Sequence, residues 1–251
     1  MNLFKAIVPA VVSLASVSFA AGATTVPQFD AAVATARTAG SPGGTAVTRD
    51  ELRGALDFFL FDDSVVDAVE RAHLSSVLAN SSWRIGINAS ALKYATDFAE
   101  LNDGNIAAPL NVYGVSQTPL ELFGAAGAMT NAAWIQEGFI PNGQGVTNQD
   151  TLQNAYAMAF QANASTFKPI NNRELLERLS GNVDFGTPSK DEIDGAMATI
   201  VQISRNSNRL YIASWHTPGR FQPGDLGGYV IAAVSTDRRF VRFVEIRTWS
   251  E

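Results

Sequence analysis

The sequence predicts an α+β protein, a helical N-terminal part followed by two helices and a three-stranded antiparallel meander. Three observations carry this reading. Thr48 with Glu51, and Ser189 with Glu192, are Ser/Thr-x-x-Glu capping boxes, each followed by apolar residues at helical spacing. Residues 240–249 alternate like a strand, with Phe240, Arg242, Val244, Ile246 and Thr248 opposite Val241, Phe243, Glu245, Arg247 and Trp249. Residues 235–239 are a turn short enough to make the last two strands antiparallel neighbours.

In chain order, residues 1–23 read as an export signal. Lys5 supplies the positive n-region, 6–15 is an apolar run, and Ser18-Phe19-Ala20 and Ala21-Gly22-Ala23 are small-x-small cleavage sites. The run is shorter than the roughly 20 residues of a membrane span, and no later segment is apolar enough to be one. The expected mature chain starts between Ala21 and Thr24 and is exported, to a periplasm or to the medium.

Residues 24–165 are expected to be mainly helical. One helical stretch at 30–38 is broken by Gly40-Ser-Pro-Gly-Gly44. A helix opened by Thr48 carries Leu52, Leu56 and Phe59. A second, capped by Ser64, carries Val66, Val69, His73 and Val77, and the two are expected to pack as an αα-hairpin. A third spans 91–101 and stops at Asn102-Asp-Gly104. Residues 105–148 are the least regular stretch, with short helices expected at 119–127 and 131–136. Thr147 or Asn148 then starts a helix carrying Leu152, Tyr156 and Phe160.

Residues 166–251 are expected to form an α/β interaction module. An extended entry at 166–170 leads to a short helix capped by Asn172, with Leu175, Leu176 and Leu179. The helix opened by Ser189 buries Ile193, Met197, Ile200 and Val201. The strands are expected at 209–215, 228–235 and 240–249.

Composition narrows the chemistry. The chain has no cysteine, so thiol catalysis, cysteine zinc sites and iron–sulfur clusters are excluded, and disulfides play no part in its stability. His73 and His216 are its two histidines, too few for a multi-histidine metal site. The net charge of −6 argues against direct nucleic-acid binding through bulk charge. From Arg205 onward, however, seven arginines face Asp225, Asp237, Glu245 and Glu251, which suits solvated cross-strand ion pairs or an acidic partner surface. The acidic stretch 62–70 resembles a calcium loop only superficially. With Glu70 as the twelfth ligand position, Phe59 and Phe61 fall where the first oxygens belong, so a helix cap is expected and no metal. Neither Gly124–Gly127 nor Gly224–Gly228 has the lysine and hydroxyl of a phosphate loop. No cofactor is expected.

His216 opens a loop that also holds Arg220 and Asp225, which suits anion binding or acid catalysis. This motivates an alternative reading as a secreted hydrolase, acting on nucleic acid or cell wall with His216 and Glu245 as acid–base pair. Arg205-Asn-Ser-Asn-Arg-Leu-Tyr211 adds to it a resemblance to a segment of the small secreted guanyl-preferring ribonucleases, although the glutamate strand and C-terminal histidine of that family have no counterpart here. A structural envelope protein without ligand is the third reading.

Residues 166–248 resemble, in pattern, the nuclease A inhibitor family. The shared pieces are Phe167-Lys168, the short helix 175–179, Thr187-Pro188 before Asp191-Glu192, Leu210-Tyr211-Ile212, and the hairpin from Gly228 to Thr248. The resemblance implies a non-enzymatic module that binds a protein partner and blocks a secreted, magnesium-dependent nuclease. Thr248 matches the threonine that reaches the enzyme's metal, while Trp249-Ser250-Glu251 and the 216–227 segment are departures from the pattern. The expected partner-facing residues are Trp215, His216, Arg220, Arg247, Thr248, Trp249 and Glu251.

Overall fold

The computed structural model describes residues 22–117, 133–180, 187–217 and 226–250. Its N-terminal part is helical: α1 (Gly22–Ala36), α2 (Arg49–Asp57) running into a 3-10 turn (Phe58–Leu60), α3 (Ala68–Ala79), a single turn α4 (Ser81–Arg84) and α5 (Ala89–Leu101). Phe29 and Val33 of α1 lie one turn apart and are buried with Leu52, Leu56 and Phe59, Leu74, and Tyr94 and Phe98 of α5. Thr48 caps α2 in the expected capping box. The second cap is Asp67 rather than Ser64. The Asp67 carboxylate accepts from the Val69 and Glu70 amides and Glu70 reaches back to the Asp67 amide, while Ser64 stands at φ 65° in the preceding turn. Nor do α2 and α3 form an αα-hairpin: each packs chiefly on α1 and α5.

The expected three-stranded meander is corrected by a curled antiparallel sheet of seven strands, ordered β1-β2-β7-β6-β5-β3 with β4 also on β5. The three expected strands are present, as β5 (Ser207–Thr217), β6 (Leu226–Ser235) and β7 (Phe240–Ser250). Four more join them: β1 (Asn111–Gln117), β2 (Ala133–Phe139), β3 (Asn163–Ala164) and β4 (Lys168–Ile170). The chain is therefore not a helical part followed by a small meander, because strands from both sides of residue 165 share one sheet. The helix expected at 131–136 is corrected in particular, since β2 begins at Ala133; the one expected at 119–127 lies outside the described residues.

The physical reason lies in pairing across the fold. Residues 105–148 are too rich in Gly, Asn and Ala to show a strand period, yet β2 supplies the partner that β7 lacks on its outer side. Its register runs from Ala133 opposite Ile246 to Phe139 opposite Phe240. Midway, Arg242 donates to Glu137 directly across the ladder at 2.7 Å.

Helices cover both faces of the sheet. On one face α6 (Gln149–Phe160), capped by Asn148, sets Leu152 and Tyr156 against Tyr211, Trp215, Val230, Ala232, Val241 and Phe243. On the other, α7 (Asn172–Leu179) and α8 (Lys190–Ile203) set Leu175, Ala196, Ile200 and Ile203 against Ile231, Ala233, Val244 and Ile246. Successive β6 residues thus serve opposite cores, which is why 230–234 is buried throughout and reads as an unbroken apolar run. Asn171 caps α7 with Glu174 as its reciprocal acceptor, one residue before the expected cap; Ser189 caps α8 as expected.

Polar ties lock the helical layer to the sheet. Arg209 pairs with Glu100, Lys168 with Asp57 at 2.6 Å, and Arg49 makes a two-pronged bond to Glu174 at 2.6 and 2.9 Å. Arg238, at φ 60° in the β6–β7 turn, donates to the Glu100 and Thr147 carbonyls and to Asp103.

Candidate functional site

The register gathers several expected partner-facing residues at one end of the sheet. His216 of β5 stands opposite Gly227 of β6, and Gly227 stands opposite Trp249 of β7; the next row inward is Trp215, Gly228 and Arg247. The register of β6 and β7 shifts between these two rows, so that Thr248 is the extra residue of a bulge. Two consecutive glycines in the middle strand leave a side-chain-free stretch between the flanking strands. The side chains of Arg247, Thr248 and Trp249, and all of Arg220 and Glu251, lie outside the described residues.

Trp215 borders that stretch. Its ring is 5% exposed, and its Nε1 donates to the Ile246 carbonyl on β7 at 3.3 Å. Gly228, its partner on β6, lies between it and β7. Trp215 is therefore a core residue, clustered with Tyr211 and Ala213, and not the partner-facing residue expected from the sequence. His216, the next residue, is exposed and by strand alternation faces the other way.

Glu245 does not meet His216. It faces α6, where its carboxylate accepts from the Tyr156 hydroxyl at 3.0 Å. Burial, and then the Glu245 charge, push the Tyr156 hydroxyl far above the ordinary tyrosine range, so it remains a proton donor in that bond. Glu245 thus shares the face of Trp215 while His216 lies on the reverse face, and the two do not form an acid–base pair. Arg209, part of the ribonuclease-like segment, is buried in its pair with Glu100. His73 lies at the edge of the helical core, with its Nε2 2.9 Å from Asp30 and its ring edge-on to Phe29. Among the described residues no three potential ligands cluster around a metal position, and Asp67 and Glu70 serve the helix cap.

A second feature was not legible as a site. Where α2 and α5 meet the segment from β4 to α7, a cleft of about 710 Å³ opens. Arg49, Asp57 and Tyr94 come from the helical layer; Lys168, Ile170, Glu174 and Arg178 come from the β4–α7 side. Burial alone would raise the Glu174 carboxyl, but the Arg49 guanidinium and the Asn171 amide outweigh it and hold the group below the usual range. Arg49 also lies over the Tyr94 ring, 4.7 Å from its centre. Tyr94 is wholly buried, and its hydroxyl makes no hydrogen bond within the described protein. Leaving such a group unpaired costs about 1–3 kcal/mol. Arg49 and Glu174 announced themselves in sequence only as part of helix starts, and Tyr94 as a helix residue. No local pattern tells that positions 125 residues apart will touch.

Comparison of the chain with protein-family models, with curated proteins and with solved structures finds no match. The fold therefore defines it by architecture, a cysteine-free mixed α and β protein in which a curled antiparallel sheet is flanked by helices. Among the described residues no helix is long and apolar enough to cross a membrane.

Proposed function

We propose that this is an exported protein-binding module whose contact surface lies at the His216–Trp249 end of the β5–β6–β7 meander, with inhibition of a secreted nuclease as its specific form. The observation that carries the reading is the row His216–Gly227–Trp249, which brings two separately expected contact residues to either side of a glycine. An exposed imidazole two strands from a tryptophan position supplies the ingredients of an interface anchor, because aromatic side chains dominate binding hot spots. The export signal at 1–23 supplies the compartment in which a secreted enzyme would be met. Buried Trp215 packs on the reverse face at this end of the sheet.

The test is capture of partners from the native exported fraction with the full chain, compared with a variant lacking residues 249–251. The expected outcome is a folded truncation that loses partner binding by about 2 kcal/mol or more, the usual hot-spot scale. A captured nuclease should lose activity on addition of the full chain. A folded truncation with undiminished binding would refute the reading. Mass spectrometry of the exported protein should place its N-terminus between Ala21 and Thr24, and recovery of Met1 in that fraction would reject the export signal.

A further inference from the structure

We infer that the cleft between α2, α5 and the β4–α7 segment is a binding site for a small organic anion, an acid group on a short apolar body. The site is separate from the meander end and does not depend on its role.

The argument starts from what the cleft still lacks. Its carboxylates are occupied within the protein. Glu174 takes both arms of Arg49 and the Asn171 amide, Asp57 takes Lys168, Asp50 takes Arg53, and Glu177 takes Arg173. Donors are left over. An ammonium has three N–H groups, and Lys168 places one on Asp57. Arg178 has no carboxylate partner among the described residues; its guanidinium lies 4.2 Å from the centre of the Tyr229 ring, with its N–H edge uncommitted.

The spare donors of Lys168 and Arg178 set the sign of the ligand, and Tyr94 adds an unpaired hydroxyl. That hydroxyl is buried without a bond and belongs to a residue lining the cleft. Burial, and then the Asp57 charge, hold it in the protonated form, so it can donate a hydrogen bond in a cleft that Lys168 and Arg178 also line. Spare donors of Tyr94, Lys168 and Arg178 in one cleft favour an acceptor-rich, negatively charged group. Pro169, Ile170 and Ile212 form an apolar wall on the sheet side, which suits a short hydrocarbon body. The volume lies within the range of small-molecule sites.

A carboxylate and a phosphate ester share this chemistry, so calorimetric titration of the full chain uses hexanoate and butyl phosphate, with butylammonium as the cationic control. At least one anion should bind saturably and butylammonium should not; the tighter anion identifies the acid group. Tyr94→Phe should weaken that anion roughly tenfold, the scale of one hydrogen bond to a charged group. The same variant should be as stable as the parent without ligand, or more so, because it removes an unpaired hydroxyl. Arg178→Ala should also weaken binding while leaving the fold unchanged. The inference is overturned if neither anion binds, if butylammonium binds as tightly, or if Tyr94→Phe retains full affinity. Destabilisation of ligand-free Tyr94→Phe would overturn it too, since the hydroxyl would then be serving the fold.

Discussion

Replacing Trp215 separates a core residue from an interface residue at the same end of the sheet. In Trp215→Phe the ring shrinks by roughly 40 Å² of apolar surface, worth about 1 kcal/mol at 25 cal/mol per Å². The Ile246 carbonyl loses its indole donor; because that bond is long at 3.3 Å, its loss sits at the low end of the cost of an unpaired buried acceptor, about 1 kcal/mol. The sum is about 2 kcal/mol. Trp215→Ala, which also leaves a cavity beneath β6, should cost about 4 kcal/mol. Urea unfolding followed by far-ultraviolet circular dichroism measures both without relying on the fluorescence of one of four tryptophans. At this chain length about 2 kcal/mol corresponds to a fall in melting temperature of roughly 4–8 °C. Partner affinity of the folded Phe variant should stay near that of the parent, whereas His216→Ala should weaken it with little change in stability. A Phe variant of unchanged stability and sharply reduced binding would show that the indole faces a partner, and the core assignment would fail.

Two further predictions concern the polar ties. Burial raises the Glu70 carboxyl against the pull of Thr25 and the Asp67 amide, so the folded protein holds this proton more tightly than the unfolded chain. Stability from this group is fully present below the ordinary carboxylate range and is lost as pH rises through the raised folded value. Denaturant unfolding across pH 4 to 7 should therefore show the parent losing stability relative to Glu70→Gln as pH rises; parallel curves would refute it. In the β6–β7 turn, Arg238→Ala should cost about 3 kcal/mol by removing the donor to the Glu100 and Thr147 carbonyls and the cation paired with Asp103. Arg238→Gly should cost about 1 kcal/mol less, because glycine accepts φ 60° without a side-chain clash. Equal losses in the two variants would show that the turn carries no strain.

Elements whose signals are local were readable from the chain alone. The capping boxes of α2 and α8 satisfy amides within three residues of the cap, and the β6–β7 hairpin closes through the four residues 236–239. Both belong to short-range chemistry, in which the partners are neighbours in sequence. The absence of cysteine and the charge balance likewise set limits that no fold can change. The tertiary structure decided whatever depends on a distant partner. Residues 133–139 became a strand because β7 offered an open ladder more than 100 positions later, and Trp215 became core because α6 packs on its face of the sheet. Arg49 and Glu174 each begin as part of a helix start, and they become one wall of a cleft when the β4–α7 segment docks on α2 and α5. Side-chain chemistry is written in the sequence, but the encounters that turn it into a site arise from packing between segments whose local patterns do not refer to one another.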